Sequence, residues 1–84
     1  MHLTFQEAKA LAHVDRLAIM DLLDDAPRAL IVQQLADTLN RDHSTISQHL
    51  SKLRAAGLIA QRKDGTTTWN TIAHGVIWPI KVRV

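Results

Sequence analysis

The chain has no cysteine and no tyrosine, one phenylalanine, two prolines and three glycines. Without cysteine it has no disulfide and no thiolate-held metal to reinforce a small fold. No apolar run approaches the ~18 residues that suggest a membrane span. Met1 to Leu11 holds no basic segment followed by an apolar run, the mark of a signal peptide. These absences predict a cytoplasmic protein with no membrane partner. Catalytic signatures are missing too: there is no Gly-rich phosphate loop, no Ser/His/Asp arrangement and no carboxylate pair suited to a cleft. No enzymatic activity, cofactor or small-molecule ligand is therefore expected. What remains is a chain of 84 residues, read as one domain over residues 1–84. A domain this small buries only about 60–65% of its unfolded surface. A second copy of the chain is a natural source of further stability.

The net charge of +2 hides an uneven distribution. Residues 1–40 carry −3, residues 41–63 carry +4 and residues 64–84 carry +1. An acidic front and a basic middle suit one face that meets a polyanion, although a merely solvated helix face gives the same pattern.

Thr4-Phe5-Gln6-Glu7 is a capping box, so a first helix is expected to about His13, with Phe5, Ala8, Leu11 and Ala12 on one face. Asp15 is the expected N-cap of a second helix. The apolar set Leu17, Ala18, Ile19, Met20, Leu22 and Leu23 predicts that this helix is buried nearly all round. Pro27 ends it. A third helix is expected over Ile31 to Leu39, closed by Asn40. The fourth begins at Asp42. Its Ile46, Leu50 and Leu53 form a narrow apolar stripe, and Gly57 closes it. Leu58 to Lys63 then reads as a strand, Asp64-Gly65 as a two-residue turn and Thr66 to Ile72 as a second strand. Ile80 to Val84 alternates like an edge strand, and residues 74–84 are read as a dimerisation tail.

Helices followed by a polar-faced helix and a basic hairpin predict an α+β winged helix-turn-helix: mainly α, in the order α-α-α-α-β-β plus a C-terminal strand or extended tail. Asn40-Arg41-Asp42 is the tight turn, and the fourth helix is the recognition helix. Its polar positions are His43, Ser44, Thr45, Ser47, Gln48, Ser51, Lys52 and Arg54. They hydrogen-bond or carry positive charge, as major-groove readout and phosphate contact require. Ser44 and Thr45 at the helix start suit a phosphate, and Gln48 suits adenine. Arg62 and Lys63 place cations at the hairpin tip. The alternative is a winged helix that docks on a protein partner. Such a surface would carry exposed aromatic or large apolar anchors.

Three segments resemble the ArsR-type, metalloregulator-like winged-helix repressors. The run Ala10-Leu11-Ala12-His13-Val14-Asp15-Arg16-Leu17-Ala18-Ile19-Met20-Asp21-Leu22-Leu23 is similar to the opening of that family. Asp42 through Ile59 resembles its recognition helix and the start of the wing. Arg62-Lys63-Asp64-Gly65, with Trp69 beyond, resembles the wing itself. The resemblance covers about residues 8 to 73 and implies a homodimer that represses transcription from an inverted-repeat operator in double-stranded DNA. Metal-sensing members of the family place cysteines where this chain has Ile31 and Gln33. Others use a ligand-bearing helix after the wing, where this chain has Gly75-Val76-Ile77-Trp78-Pro79. No metal ligand is therefore expected. His2, His13, His43, His49 and His74 are scattered and show no ligand spacing. His49, beside the buried stripe, is expected to be a packed, hydrogen-bonded histidine. Trp69 and Trp78 are expected to anchor a core or an interface.

Overall fold

The computed structural model describes residues 3–79. Thr4 caps the first helix, α1 (Phe5–Leu11), with the full capping box: Glu7 N–H donates to Thr4 Oγ1 and Thr4 N–H to Glu7 Oε1. The helix is shorter than expected, and its buried residue is Ala10, not Phe5 or Ala8. Phe5 is 82% exposed. Seven residues give only two turns, and the small Ala10 side chain is the one that lets α1 approach its neighbours.

Helix α2 (Val14–Asp25) is capped by His13, not by Asp15. His13 Nδ1 accepts from the Asp15 N–H, which moves Asp15 into the first turn. There its carboxylate has another partner, Arg41, described below. Ile19, Met20 and Leu23 are buried, but Val14 is 73% and Leu17 39% exposed. The helix is thus amphipathic rather than buried all round. Ala26, just before Pro27, takes the extended conformation that proline imposes on its predecessor.

Strand β1 (Leu30–Ile31) comes next and was not anticipated. Two residues are too few to show any periodicity. Helix α3 (Val32–Leu39) starts one residue later than expected. Ile31 offers no side-chain acceptor, so only the return half of a capping box forms, with Ile31 N–H donating to Gln34 Oε1 at 2.9 Å. Asn40 adopts the left-handed conformation (φ 53°, ψ 50°) that terminates the helix. Helix α4 (His43–Ala55) follows after the short turn. Gly57 (φ 77°) ends it in a Schellman motif: Gly57 N–H donates to Arg54 O and Leu58 N–H to Leu53 O. Leu53 and Leu58, both fully buried, supply the apolar contact of that motif.

The wing is β2 (Ile59–Asp64) paired antiparallel with β3 (Thr67–Ile72). Asp64 pairs with Thr67, so the two-residue turn is Gly65-Thr66, one step later than expected. Gly65 supplies the positive φ (63°). The sheet order is β1-β3-β2. The third strand among the described residues is β1; Ile80 to Val84, read as an edge strand, lies outside them. The core joins Ile19, Met20 and Leu23 to Leu35, Ile46, Leu50, Leu53, Leu58 and Ile59. Val76 and Trp78 pack against it after the wing, and Trp78 Nε1 donates to Asp21 Oδ1 at 2.7 Å. That contact gives Trp78 the anchoring role expected of it.

Candidate nucleic-acid interface

Helix α4 is oriented by its buried stripe, Ile46, Leu50 and Leu53, with His49 alongside. The opposite face presents Ser44, Gln48 and Ser51, all exposed. Among the described residues Gln48 has no side-chain hydrogen bond, so its amide is free for both donation and acceptance. Ser47 is half-buried at one margin and Lys52 is exposed at the other. His43 opens the helix, exposed.

Ser44 and Thr45 have a different local role from the one expected. Asp42 Oδ2 accepts from Ser44 Oγ (2.7 Å) and from Thr45 N–H (3.1 Å), and Asp42 Oδ1 accepts from Thr45 Oγ1 (2.6 Å). Both hydroxyl protons are thus committed to the cap. These hydrogen bonds hold the Asp42 carboxyl at about 2, below the ordinary carboxylate value. Lone pairs on both hydroxyl oxygens remain, and they can accept from a base amino group. An ionised carboxylate at the helix start opposes a phosphate there.

The wing divides its two cations. Side chains alternate along a strand, and the register pairs Lys63 with Thr68 and Arg62 with Trp69. Lys63 therefore shares a sheet face with Gln61, and Gln61 reaches Arg54 of α4 (3.4 Å). Arg62 is on the other face with Trp69 and Thr71, where the three line a shallow pocket with Ala29. Trp69 thus belongs to the outer sheet surface rather than to the core cluster. Lys63 points to the recognition-helix side and Arg62 away from it.

Two arrangements escaped sequence reading because they join distant segments. Asn70 is fully buried in the wing. Its Nδ2 donates to Leu30 O (3.0 Å) and its Oδ1 accepts from Gln61 Nε2 (2.8 Å). It ties β1 to both wing strands. The second is a cluster at the junction of α2 and α4. Arg41 Nε donates to Asp15 Oδ2 (3.0 Å) and Nη2 to Oδ1 (3.3 Å). This bidentate hydrogen bond holds the Asp15 carboxyl below the usual carboxylate range and raises the Arg41 guanidinium. Arg41 therefore contributes less free positive charge than its place in the basic middle suggests. His49 Nε2 lies 3.7 Å from Asp15 Oδ2. The His13 and His49 rings pack in a tilted arrangement, with centroids 4.4 Å apart and planes inclined at 54°. Arg16 Nε donates to His49 Nδ1 at 3.2 Å, so His49 is packed and hydrogen-bonded as expected. Burial, then the neighbouring His13 and Arg16, pushes His49 below its ordinary value.

His13, Asp15 and His49 also bring potential metal-ligand atoms within 4.8 Å of one another. The free lone pair of each imidazole is already used, and each Asp15 oxygen already accepts one hydrogen bond. His13 Nδ1 accepts from the Asp15 N–H, His49 Nδ1 accepts from Arg16, and both Asp15 oxygens accept from Arg41. Two guanidinium groups beside the cluster oppose a further cation.

Residues 13–61 match the bacterial regulatory protein, arsR family. This chain belongs to the ArsR family. Among solved structures, HlyU from Vibrio cholerae superposes on this ArsR-family chain with a TM-score of 0.75 at 36% identity, covering 83% of this chain and 74% of HlyU. A homodimeric winged helix-turn-helix DNA-binding domain from Mycobacterium bovis superposes with a TM-score of 0.74 at 34% identity, over 81% of this chain and 61% of that one. The transcriptional repressor PagR of Bacillus anthracis gives 0.70 at 32% identity, over 81% of this chain and 76% of PagR. In sequence, HlyU, a transcriptional activator, is 38% identical over 65 residues, 77% of this chain and 58% of HlyU. The chain spans about half the length of the curated relatives it matches. The fold is the winged helix-turn-helix anticipated from the sequence. Among the described residues no helix is long and apolar enough to cross a membrane.

Proposed function

We propose that this ArsR-family chain is a sequence-specific double-stranded DNA-binding regulator, a homodimeric repressor acting in the cytoplasm at an inverted-repeat operator. The observation that carries the reading is the exposed polar face of α4, whose central Gln48 side chain makes no hydrogen bond among the described residues. Gln48 stands between Ser44 and Ser51, with Lys52 on one margin of the helix and Lys63 on the wing face that meets α4. Gln48 reads a base, with adenine as the best bidentate match. Ser44, Thr45, Ser47 and Ser51 supply adaptable contacts to bases or sugars. Lys52, Lys63, Arg54 and His43 meet phosphates along the groove. Arg62, on the other face of the wing, reaches the backbone only past the hairpin tip. Dimerisation has its counterpart in the Mycobacterium bovis domain, and repression in PagR. A bound dimer that covers a promoter represses by excluding polymerase. HlyU, an activator, has the same fold with the opposite sign of regulation.

Docking on a protein partner through the α4 face is disfavoured. The exposed large apolar residues among those described are Leu3, Phe5, Val14, Leu17 and Ile77. None is on α4 or the wing.

Selection from random duplex DNA at moderate salt tests the proposal. Enrichment of an inverted repeat is the expected result, and recovery of no enriched sequence rejects it. Within the enriched site, Gln48→Ala should cost about 1–3 kcal/mol and relax one base position in each half-site. Equal weakening on all sequences would remove Gln48 from base readout.

A further inference from the structure

The fold contains a second cationic feature, which shares Lys52 with the margin of the exposed α4 face. A cleft of about 360 Å³ opens between α1, the start of α2 and the last turns of α4. Its polar walls include Lys9, His13, Arg16 and Lys52, and its floor includes Ala10 and Ala56. Among the described residues no carboxylate lines it. The C-terminal end of α4 would normally oppose an anion. Here, however, the carbonyls of Lys52, Leu53 and Arg54 already accept from Ala56, Leu58 and Gly57.

Arg16 is the decisive group. It is part-buried, donating Nε to His49 Nδ1 and Nη1 to Ala10 O, each at 3.2 Å. Both acceptors are neutral. Among the described residues Arg16 makes no ion pair. A partly desolvated guanidinium without a counter-charge is costly, and an oxyanion in the cleft would supply one. The planar guanidinium matches carboxylate and phosphate oxygens through its remaining N–H groups. Lys9 and Lys52 add mobile ammonium groups. His13 uses Nδ1 as an acceptor, so its other nitrogen is a donor. The volume falls within the usual ~300–1,000 Å³ of small-molecule sites, and the alanine floor suits a small apolar body.

We infer that this cleft is a binding site for a small organic oxyanion, a carboxylate or phosphate monoester whose charged head pairs with Arg16. This departs from the sequence-based expectation of no small-molecule ligand. The site adjoins α4 in two ways. Arg16 holds His49, which is on α4, and Lys52 belongs both to the cleft and to the margin of the exposed α4 face. A ligand there competes with a DNA phosphate for Lys52 and alters the Arg16–His49 bond, so it weakens DNA binding. This effect rests on α4 being the recognition helix; binding in the cleft does not.

The test uses the full chain and phenyl phosphate as the probe, with chloride holding ionic strength constant. Proton–nitrogen NMR should show saturable shifts at Ala10, His13, the Arg16 Nε–H and residues 52–56, with residues 61–68 unmoved. Lys9→Gln, at an exposed position, should weaken binding about two- to five-fold without altering the fold. Arg16→Lys keeps the charge but loses the fork, and should weaken binding further. No saturable shift, equal affinity in both variants, or shifts spread equally over the wing would each overturn the site. So would the absence of probe binding combined with a Lys9→Gln salt slope for DNA lowered by about one, because the cleft would then be part of the DNA backbone track. Probe binding without any effect on DNA affinity would keep the site and reject its coupling to α4.

Discussion

Gln48 and Asn70 are both carboxamides, and burial separates their roles. Asn70, at 0% exposure, spends its donor and acceptor inside the wing. Gln48 is exposed and spends neither among the described residues. An unfilled hydrogen-bonding side chain on a helix face is a readout group in waiting, whereas a filled one is part of the scaffold. His49 shows the same logic for charge. It faces His13, Arg16, Asp15 and Arg41, and burial is the main cause of its lowered value. In the unfolded chain it titrates near the ordinary 6.5. Between that value and the lower folded one, the unfolded state binds more protons, so stability rises with pH. The contribution is complete above pH 6.5 and is lost as pH falls through the folded value. Urea denaturation between pH 8 and pH 5 should therefore show falling stability on the acid side. His49→Gln, which can still accept from Arg16, should flatten that part of the profile. An unchanged profile would mean that another group sets it.

At the scale of elements, α4 is aimed by its two ends. Asp42 fixes its start, and the Schellman turn at Gly57 fixes how it leads into β2. Nothing lies within 4 Å of a Cβ built on Gly57, so the demand for glycine there is the positive φ alone. Gly57→Ala should destabilise the fold by about 1–2 kcal/mol, the cost of a left-handed backbone for an L-residue. Urea denaturation measures it; a neutral result would mean that the turn relaxes without disturbing helix or wing. Both ends of α4 were legible in the sequence, because caps are local chemistry with fixed offsets. The hairpin was legible for the same reason, to within one residue. The unread features depend on contacts between distant segments. Strand β1 exists because Leu30 and Ile31 pair with Asn70 and Trp69. Asp15 looked like a cap until Arg41, far along the chain, drew its carboxylate away. The wing cations appeared as one pair in the sequence, and only the register shows that Lys63 and Arg62 occupy opposite faces.

The whole molecule is polarised. Its proposed DNA side, α4 and the wing, lies within or beside residues 41–63, which carry +4, while residues 1–40 carry −3. Among the described residues the exposed large apolar side chains avoid the DNA side: Leu3 and Phe5 are at α1, Val14 and Leu17 on α2, and Ile77 follows the wing. The two surfaces have different physics. Contacts with DNA weaken steeply with salt because bound counterions are released. An apolar contact between copies of the chain has no such dependence. A proposed dimer built on α1 and α2 should therefore persist at salt concentrations that dissociate DNA. Phe5 is the sharpest probe. At 82% exposure it contributes little to the fold of one chain, so Phe5→Lys should leave the thermal melt of the monomer nearly unchanged. Burying a phenylalanine side chain stabilises by about 1.5–3 kcal/mol. Each copy of the dimer loses one such side chain, about 3–6 kcal/mol in all, so the dimer dissociation constant should rise by roughly a hundred-fold to ten-thousand-fold. Sedimentation equilibrium at several concentrations reads this directly. If dissociation is unaltered while the fold is intact, the copies meet elsewhere, and residues 74–84, read from the sequence as a dimerisation tail, become the next surface to test by deletion.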